Sequence, residues 1–182
     1  MNESKLDTRA LRMLTYGLYV VTSHLGEKLN GLICDAAAQV ARSPVRIAIS
    51  ISKNELTHEC ITQSGEFALS VLEESTPMTF IGLFGFKSGR DIDKLSRVAF
   101  KRGTTTGCPI VTEHSLAALE AKVFQQVDVG SHTLFIGDVV SSEILKEGKP
   151  LTYTYYREHL KGKTPEKAPT YIKEERQGHQ RG

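Results

Sequence analysis

The sequence has few cysteines, no long apolar run and almost no net charge. Its three cysteines, Cys34, Cys60 and Cys108, are an odd number at wide spacing among 182 residues. They do not form a disulfide framework pattern, so we expect a cytoplasmic protein. No apolar run approaches the ~20 residues that a membrane span needs, and the polar start, residues 1–5, is unlike a secretory signal. Lys and Arg number 23 against 21 for Asp and Glu, which gives no electrostatic case for a nucleic-acid partner.

Several motifs of well-known enzyme classes are also missing. There is no Gly-x-Gly-x-x-Gly after a strand and no P-loop, so neither a Rossmann fingerprint nor a Walker site is expected. There is no Cys-x-x-Cys pair and no His-Glu-x-x-His, so we expect no zinc site and no rubredoxin-type iron site. No Gly-x-Ser-x-Gly elbow supports a serine triad.

The patterns that are present favour one mainly β domain. At roughly 150 residues per domain the length suits a single domain, and 40% hydrophobic with 24% charged residues is typical of globular chains. Alternation predicts strands over 18–23, 29–33, 45–52, 67–72, 121–129 and 132–140, with a two-residue turn at 130–131 and a last extended segment at 151–156. Helices are predicted over 6–14 and 57–64, the second capped by Asn54 or Thr57, and a short one after Thr76-Pro77. Few long crossovers indicate a barrel or sandwich with peripheral short helices.

Two polar clusters stand at the ends of predicted strands. Residues 30–39 read as a loop with three small alanines, which let the backbone approach a flat ligand or simply form a surface turn. Residues 50–57 run from a strand into a helix start, where hydroxyls and free N–H groups suit an anion. For Thr57 alone, simple N-capping is the competing interpretation.

Two further clusters follow. Arg90 and Lys94 stand four residues apart in a glycine-rich segment and, on one turn of helix with Ser88, could hold a phosphate. The alternative is a solvated basic turn. His132 follows the predicted hairpin turn and is either a ligand-side residue or an exposed hairpin residue.

Six segments in register resemble the FMN-binding split-barrel flavin reductase family, including its flavoredoxin-like members and the flavoprotein domain of high-molecular-weight rubredoxin. They are residues 16–23, 30–40, 50–58, 84–91, 132–137 and 151–153. The resemblance extends from about residue 6 to residue 171. It implies a six-stranded FMN-binding split β-barrel with peripheral short helices over residues 1–160, followed by a polar C-terminal tail, 161–182.

The resemblance also implies a set of cofactor-binding residues. These are Asn30, Cys34, Asp35, Ala36, Gln39, Ser50, Ser52, Lys53, Thr57, Ser88, Gly89, Arg90, Lys94, His132, Tyr155 and Tyr156. Asn30 and the backbone of residues 31–38 would border the ring. The ribityl and phosphate side would be lined by Ser52, Lys53 and Thr57. The phosphate would also be held by Ser88, Arg90 and Lys94. His132 and a C-terminal tyrosine would flank the flavin across a homodimer interface. Relatives commonly carry Asn-Thr at positions 35–36, so the carboxylate here should lower the flavin potential.

The implied function is that of an oxidoreductase. With FMN bound, the protein would pass electrons from NAD(P)H or a reductase to flavin or to a small redox protein such as a rubredoxin, with no nucleic-acid or membrane partner. A non-catalytic FMN electron carrier and a flavin-free barrel are the alternatives. Aromatic residues at 84, 86, 153, 155 and 156 predict a homodimer surface, with a place in the core as the alternative. The cysteines are expected not to be the redox centre, and no catalytic residue is assigned.

Overall fold

The computed structural model of the protein describes residues 7–172, which form nine strands and four α-helices. The strands are β1 (Tyr19–Leu25), β2 (Lys28–Cys34), β3 (Ala37–Arg42), β4 (Val45–Ser52), β5 (Glu66–Leu72), β6 (Phe100–Arg102), β7 (Pro109–Val111), β8 (Ser115–Asp128) and β9 (His132–Ile144). The helices are α1 (Thr8–Leu11), α2 (Leu56–Ser64), α3 (Met78–Gly85) and α4 (Tyr153–Glu158), with a 3-10 turn at Leu95–Arg97. No described helix has the length and apolar character to cross a membrane.

Seven strands make one antiparallel sheet in the order β2-β1-β5-β8-β9-β4-β3, and β6 pairs with β7 in a separate ribbon. The two edge strands of the large sheet, β2 and β3, are consecutive in the chain and only Asp35 and Ala36 separate them. The Ser50 amide donates to the Ala36 carbonyl at 3.0 Å and fixes this link beside β4. Within residues 7–172 no ladder joins β2 to β3 or β4, so the barrel is split there. The predicted mainly β split barrel is confirmed, with seven strands in the sheet instead of six.

The core has two main layers because the strands alternate their side chains between two faces. Val21, Ile49 and Phe135 belong to the cluster inside the curved sheet. Phe84 and Tyr156 belong to a second cluster, in which α3 and α4 pack on the outer face of β1. The first cluster lies under the end of the sheet where β2 and β4 meet α2, and it thereby supports the site described below.

Some predicted elements differ from the observed ones. Residues 30–39 are not a loop, because β2 continues to Cys34 and β3 begins at Ala37 as an exposed edge strand that carries no apolar alternation. The predicted extended segment 151–156 contains α4, because the Thr152 hydroxyl accepts a hydrogen bond from the Tyr155 amide at 3.2 Å and caps a helix there. The hairpin loop between β8 and β9 has three residues, 129–131, instead of two.

Helix predictions were close at α2 and less so at the start of the chain. Helix α2 ends at Gly65 in the left-handed conformation, as expected, but Glu55 is its N-cap residue and makes no side-chain cap. Thr57, one of the two predicted caps, is buried inside the first turn. The predicted helix 6–14 is confined to α1 among the described residues, and its first residue lies outside them.

Candidate functional site

A cleft of about 650 Å³ opens where the ends of β2 and β4 meet the end of α3. Residues 163–171, here called the wall segment, form its opposite side. The floor is apolar, with Leu32, Ile51 and Phe84. The rim carries hydroxyl groups, the basic side chains of Lys87, Lys163 and Lys167 and the acidic side chains of Glu55, Asp91 and Glu166. A half-apolar cleft of this volume with a few polar groups suits a ligand the size of a nucleotide.

Four of the sequence-predicted residues line this cleft: Cys34, Ser50, Ser52 and Ser88. They come from β2, β4 and the turn after α3, and their role in binding a cofactor stays a prediction. Ser52 is buried and its hydroxyl accepts a weak bond from the Asn54 amide at 3.4 Å. Burial raises the pKa of the Cys34 thiol well above its usual range, so this sulfur stays protonated at neutral pH.

Two more predicted residues hold the wall segment in place, and a third lies beside them. The buried Asp35 carboxylate accepts a hydrogen bond from the Thr170 hydroxyl, and burial raises the pKa of Asp35. His132 is also buried, and its Nε2 lies 3.0 Å from the Lys167 carbonyl, which can only accept, so Nε2 carries the proton. Ala36 links this corner to β4 through its carbonyl.

Asn30, Thr57 and Gly89 form a buried support behind the cleft. The Asn30 side-chain amide donates to the Thr57 hydroxyl at 2.9 Å. Gly89 approaches the Asn30 amide so closely that a β-carbon at residue 89 would overlap it. These residues therefore fix the turn after α3 against β2 and α2, and none of the three side chains lines the cleft.

Three predicted residues face away from the cleft. Lys53 pairs with Asp128 at 2.6 Å on the surface, and Arg90 pairs with Glu59 of α2. Gln39 is exposed on the edge strand β3, where its amide donates to the Ala41 carbonyl at 3.2 Å. Each side chain is engaged by its own neighbours outside the cleft.

The expected pairing of Arg90 with Lys94 on one helical face is wrong. Residues 88–94 form turns instead of a helix. Lys94 is only 2% exposed, and its ammonium donates to the carbonyls of Gly31 at 3.0 Å and Phe84 at 3.2 Å. Burial lowers the pKa of Lys94 to about 8. The Lys94 ammonium therefore binds backbone carbonyls inside the protein, while the Arg90 side chain lies on the surface.

The predicted C-terminal tyrosines lie outside the cleft lining. Tyr156 is buried in the outer core, and its hydroxyl donates to the Lys163 carbonyl at 2.8 Å. Tyr155 stacks on His159 with ring centroids 4.6 Å apart. Phe84 is buried as well, so it and Tyr156 cannot belong to an exposed aromatic surface. Phe86, at 51% exposure, does remain on the surface.

Sequence reasoning missed the wall segment as part of the site. The Lys167 ammonium pairs with Glu55 at 3.2 Å across the cleft mouth and adds to the contacts at Asp35 and His132. A signal was present, because the resemblance to the family extends through residue 171 and prolines at 165 and 169 stiffen this segment. Among residues 7–172, no group of three or more His, Cys, Asp or Glu could hold a metal ion.

Comparison with known proteins identifies the family. Residues 11–164 match the family described as "Flavin reductase like domain". The chain belongs to this family. It is 44% identical over 166 residues to the high molecular weight rubredoxin of Moorella thermoacetica, covering 91% of this chain and 72% of that one. It is also 44% identical over 167 residues to the ferric-chelate reductase (NAD(P)H) of Archaeoglobus fulgidus, covering 92% and 98%.

A solved structure supports the same assignment. The FMN-binding protein from Thermus thermophilus superposes with a TM-score of 0.68 at 25% identity, over 74% of each chain. The flavin reductase-like relatives therefore share both the sequence pattern and the split-barrel architecture with this chain. This chain is an oxidoreductase of the flavin reductase-like family.

Proposed function

We propose that the protein binds FMN in the cleft and uses it to pass electrons from NAD(P)H to an acceptor. The observation that carries the proposal is the meeting of Cys34, Ser50, Ser52 and Ser88 in one cleft of about 650 Å³. When bound, FMN supplies a group that takes up two electrons and can release them singly. The FMN-binding relative and the ferric-chelate reductase (NAD(P)H) support the cofactor and the co-substrate.

The residues of the cleft fit the three parts of FMN. Ile33, Phe86 and Pro169, which line the cleft and are half-buried or exposed, offer an apolar surface to a flat ring system. Ser50 and Ser52 offer hydroxyls to a polyhydroxy chain. Lys87 and Ser88, which lie together on the rim, offer a cation and a hydroxyl to a phosphate. This assignment replaces the Arg90–Lys94 clamp, since neither of those side chains lines the cleft.

The phosphate assignment is tested with a matched pair of variants. Lys87 and Arg90 are both exposed cations in the same turn, but only Lys87 lines the cleft. A charge-assisted hydrogen bond contributes about 1.5–3 kcal/mol, or roughly ten- to a hundredfold in affinity. Lys87→Gln should therefore weaken FMN binding by about tenfold and leave riboflavin binding unchanged, while Arg90→Gln changes neither. The measurement is fluorescence titration of the apoprotein with both ligands.

The electron-transfer proposal has a direct spectroscopic test. The purified protein should be yellow and should release FMN, not FAD, on denaturation. Anaerobic addition of NADH or NADPH should bleach the flavin absorbance, and an acceptor such as a ferric chelate or a rubredoxin should restore it. The rubredoxin acceptor is motivated by the name of the Moorella thermoacetica relative. A colourless protein that cannot be reconstituted with FMN refutes the proposal.

We also propose a homodimer. With Phe84 and Tyr156 in the core, the support is reduced to Phe86 at the cleft rim and to half-buried tyrosines at 153 and 155. A dimer would cover Phe86. Sedimentation velocity at low micromolar concentration should give a species of about twice the chain mass of 20.1 kDa, and a monomer alone would rule the dimer out.

A further inference from the structure

A second concavity, here called the side pocket, adjoins the cleft and is not explained by FMN binding. It has a volume of about 460 Å³ and lies where α1 and α4 meet the wall segment. The cleft and the side pocket share Lys163, Thr164 and Tyr171 as lining residues. A single extended ligand can therefore occupy both, with one end in the cleft and the other in the side pocket.

The charge of the side pocket favours an anionic ligand. Among the described residues, its lining includes Arg12, Arg157 and Lys163 and no carboxylate. Among the ion pairs formed within residues 7–172, none involves these three cations. The Asp35 carboxylate acts on this pocket, since it adds to the burial that raises the pKa of Tyr16. This carboxylate is already held by Thr170 at the back of the pocket.

The side pocket also offers surfaces to a flat group. Tyr16 and Tyr153 stand edge to face with ring centroids 6.0 Å apart, and the Arg157 guanidinium lies 5.9 Å from the centre of the Tyr153 ring. The backbone at Lys163 is held in place, because its carbonyl accepts a hydrogen bond from the Tyr156 hydroxyl. Planar cations and aromatic rings together suit a phosphorylated nucleoside.

We propose that the side pocket binds the phosphorylated adenosine half of the nicotinamide dinucleotide, with Arg157 and Lys163 contacting its phosphates. This inference rests on the proposed function, because the nicotinamide half must reach the flavin in the cleft. The co-substrate then spans the two concavities, which share lining residues of the wall segment. Arg157 and Lys163 are then determinants of co-substrate affinity.

The test uses a fragment that carries no nicotinamide, so that binding is read without turnover. Calorimetric titration of the holoprotein with 2′,5′-ADP should show binding that weakens as salt is raised. Arg157→Gln and Lys163→Gln should each weaken it by about tenfold, while Arg157→Lys retains part of the affinity. Arg42→Gln, an exposed cation on β3 outside both concavities, is the matched control and should change nothing. The same glutamine variants should raise the KM for NADPH with little change in kcat.

Each failure has a separate meaning. If 2′,5′-ADP does not bind the wild-type protein, or binds Arg157→Gln and Lys163→Gln equally well, the side pocket assignment is overturned. If citrate, the ligand of a ferric chelate, binds at Arg157 and 2′,5′-ADP does not, the pocket takes the acceptor and the assignment is again wrong. A wild-type protein that is reduced by NADPH with a KM unaffected by these variants overturns the inference alone. A protein that binds 2′,5′-ADP through Arg157 but is never reduced overturns the proposed function and keeps the site.

Discussion

The buried ammonium of Lys94 makes the stability of this protein depend on pH in a defined direction. Its pKa is about 8 in the folded chain, because burial disfavours the charged form, against an ordinary value of 10.5. The unfolded chain therefore binds more protons between these two values, and the free energy of unfolding rises with pH across that window. For these two pKa values the gain between pH 7 and pH 10 is about 2.5 kcal/mol.

The assay compares wild type with Lys94→Met, which keeps the side-chain length and removes the titrating group. Urea unfolding is followed by circular dichroism at pH 7, 8, 9 and 10 for both proteins. All other groups titrate in both, so the difference in unfolding free energy, wild type minus variant, isolates Lys94. We expect this difference to rise by about 2.5 kcal/mol from pH 7 to pH 10. A difference that stays flat or falls would refute the placement of this ammonium against the carbonyls of Gly31 and Phe84.

Three further predictions concern other positions in the structure. Burial raises the pKa of Asp35, so the ionised carboxylate lowers the stability of the fold above that pKa. Asp35→Asn should therefore raise the Tm at pH 8, and this gain should disappear towards pH 4. A gain in Tm that is independent of pH would contradict this. Gly89→Ala should lower the unfolding free energy by roughly 1–3 kcal/mol, because its β-carbon would overlap the Asn30 amide. Gly82→Ala is the control, since residue 82 lies in open space on α3, and it should raise the unfolding free energy by roughly 0.5–1 kcal/mol. Both are measured by urea titration. The three cysteines are free and buried, so in the native protein they should react with Ellman's reagent far more slowly than after unfolding, and rapid native labelling would count against their burial.

Local patterns predicted the strands and missed the contacts between distant segments. β4 was predicted to the residue because Ile47, Ile49 and Ile51 alternate with smaller or polar side chains, a signal contained within the strand itself. β3 was not predicted, because an exposed edge strand of alanine and polar residues has no such alternation. The short β6–β7 ribbon has three residues per strand, too few for a periodic pattern.

In the candidate site, too, contacts between distant segments were harder to predict than local structure. Ser50, Ser52 and Ser88, three of the residues that the resemblance implies for the cofactor, line one cleft, and their role there stays a prediction. Both the resemblance and the four-residue spacing predict a phosphate clamp of Arg90 with Lys94, and the structure separates these two side chains because that segment is a series of turns. The contact between Asp35 and Thr170 joins residues 135 positions apart, and no local pattern could have revealed it.

The order in which the chain is synthesised has a consequence for how the cleft is completed. β4 pairs with β9, and Ser52 lies opposite His132, 80 residues later. At about 5–20 residues per second, β4 waits roughly 4–16 s on the ribosome before its partner has been made. During that interval β4 lacks its neighbour β9, and Ile49 lacks Phe135, its partner in the first core cluster. The wall segment is made later still, so a ligand can be enclosed in the cleft only after nearly all of the described chain has been translated.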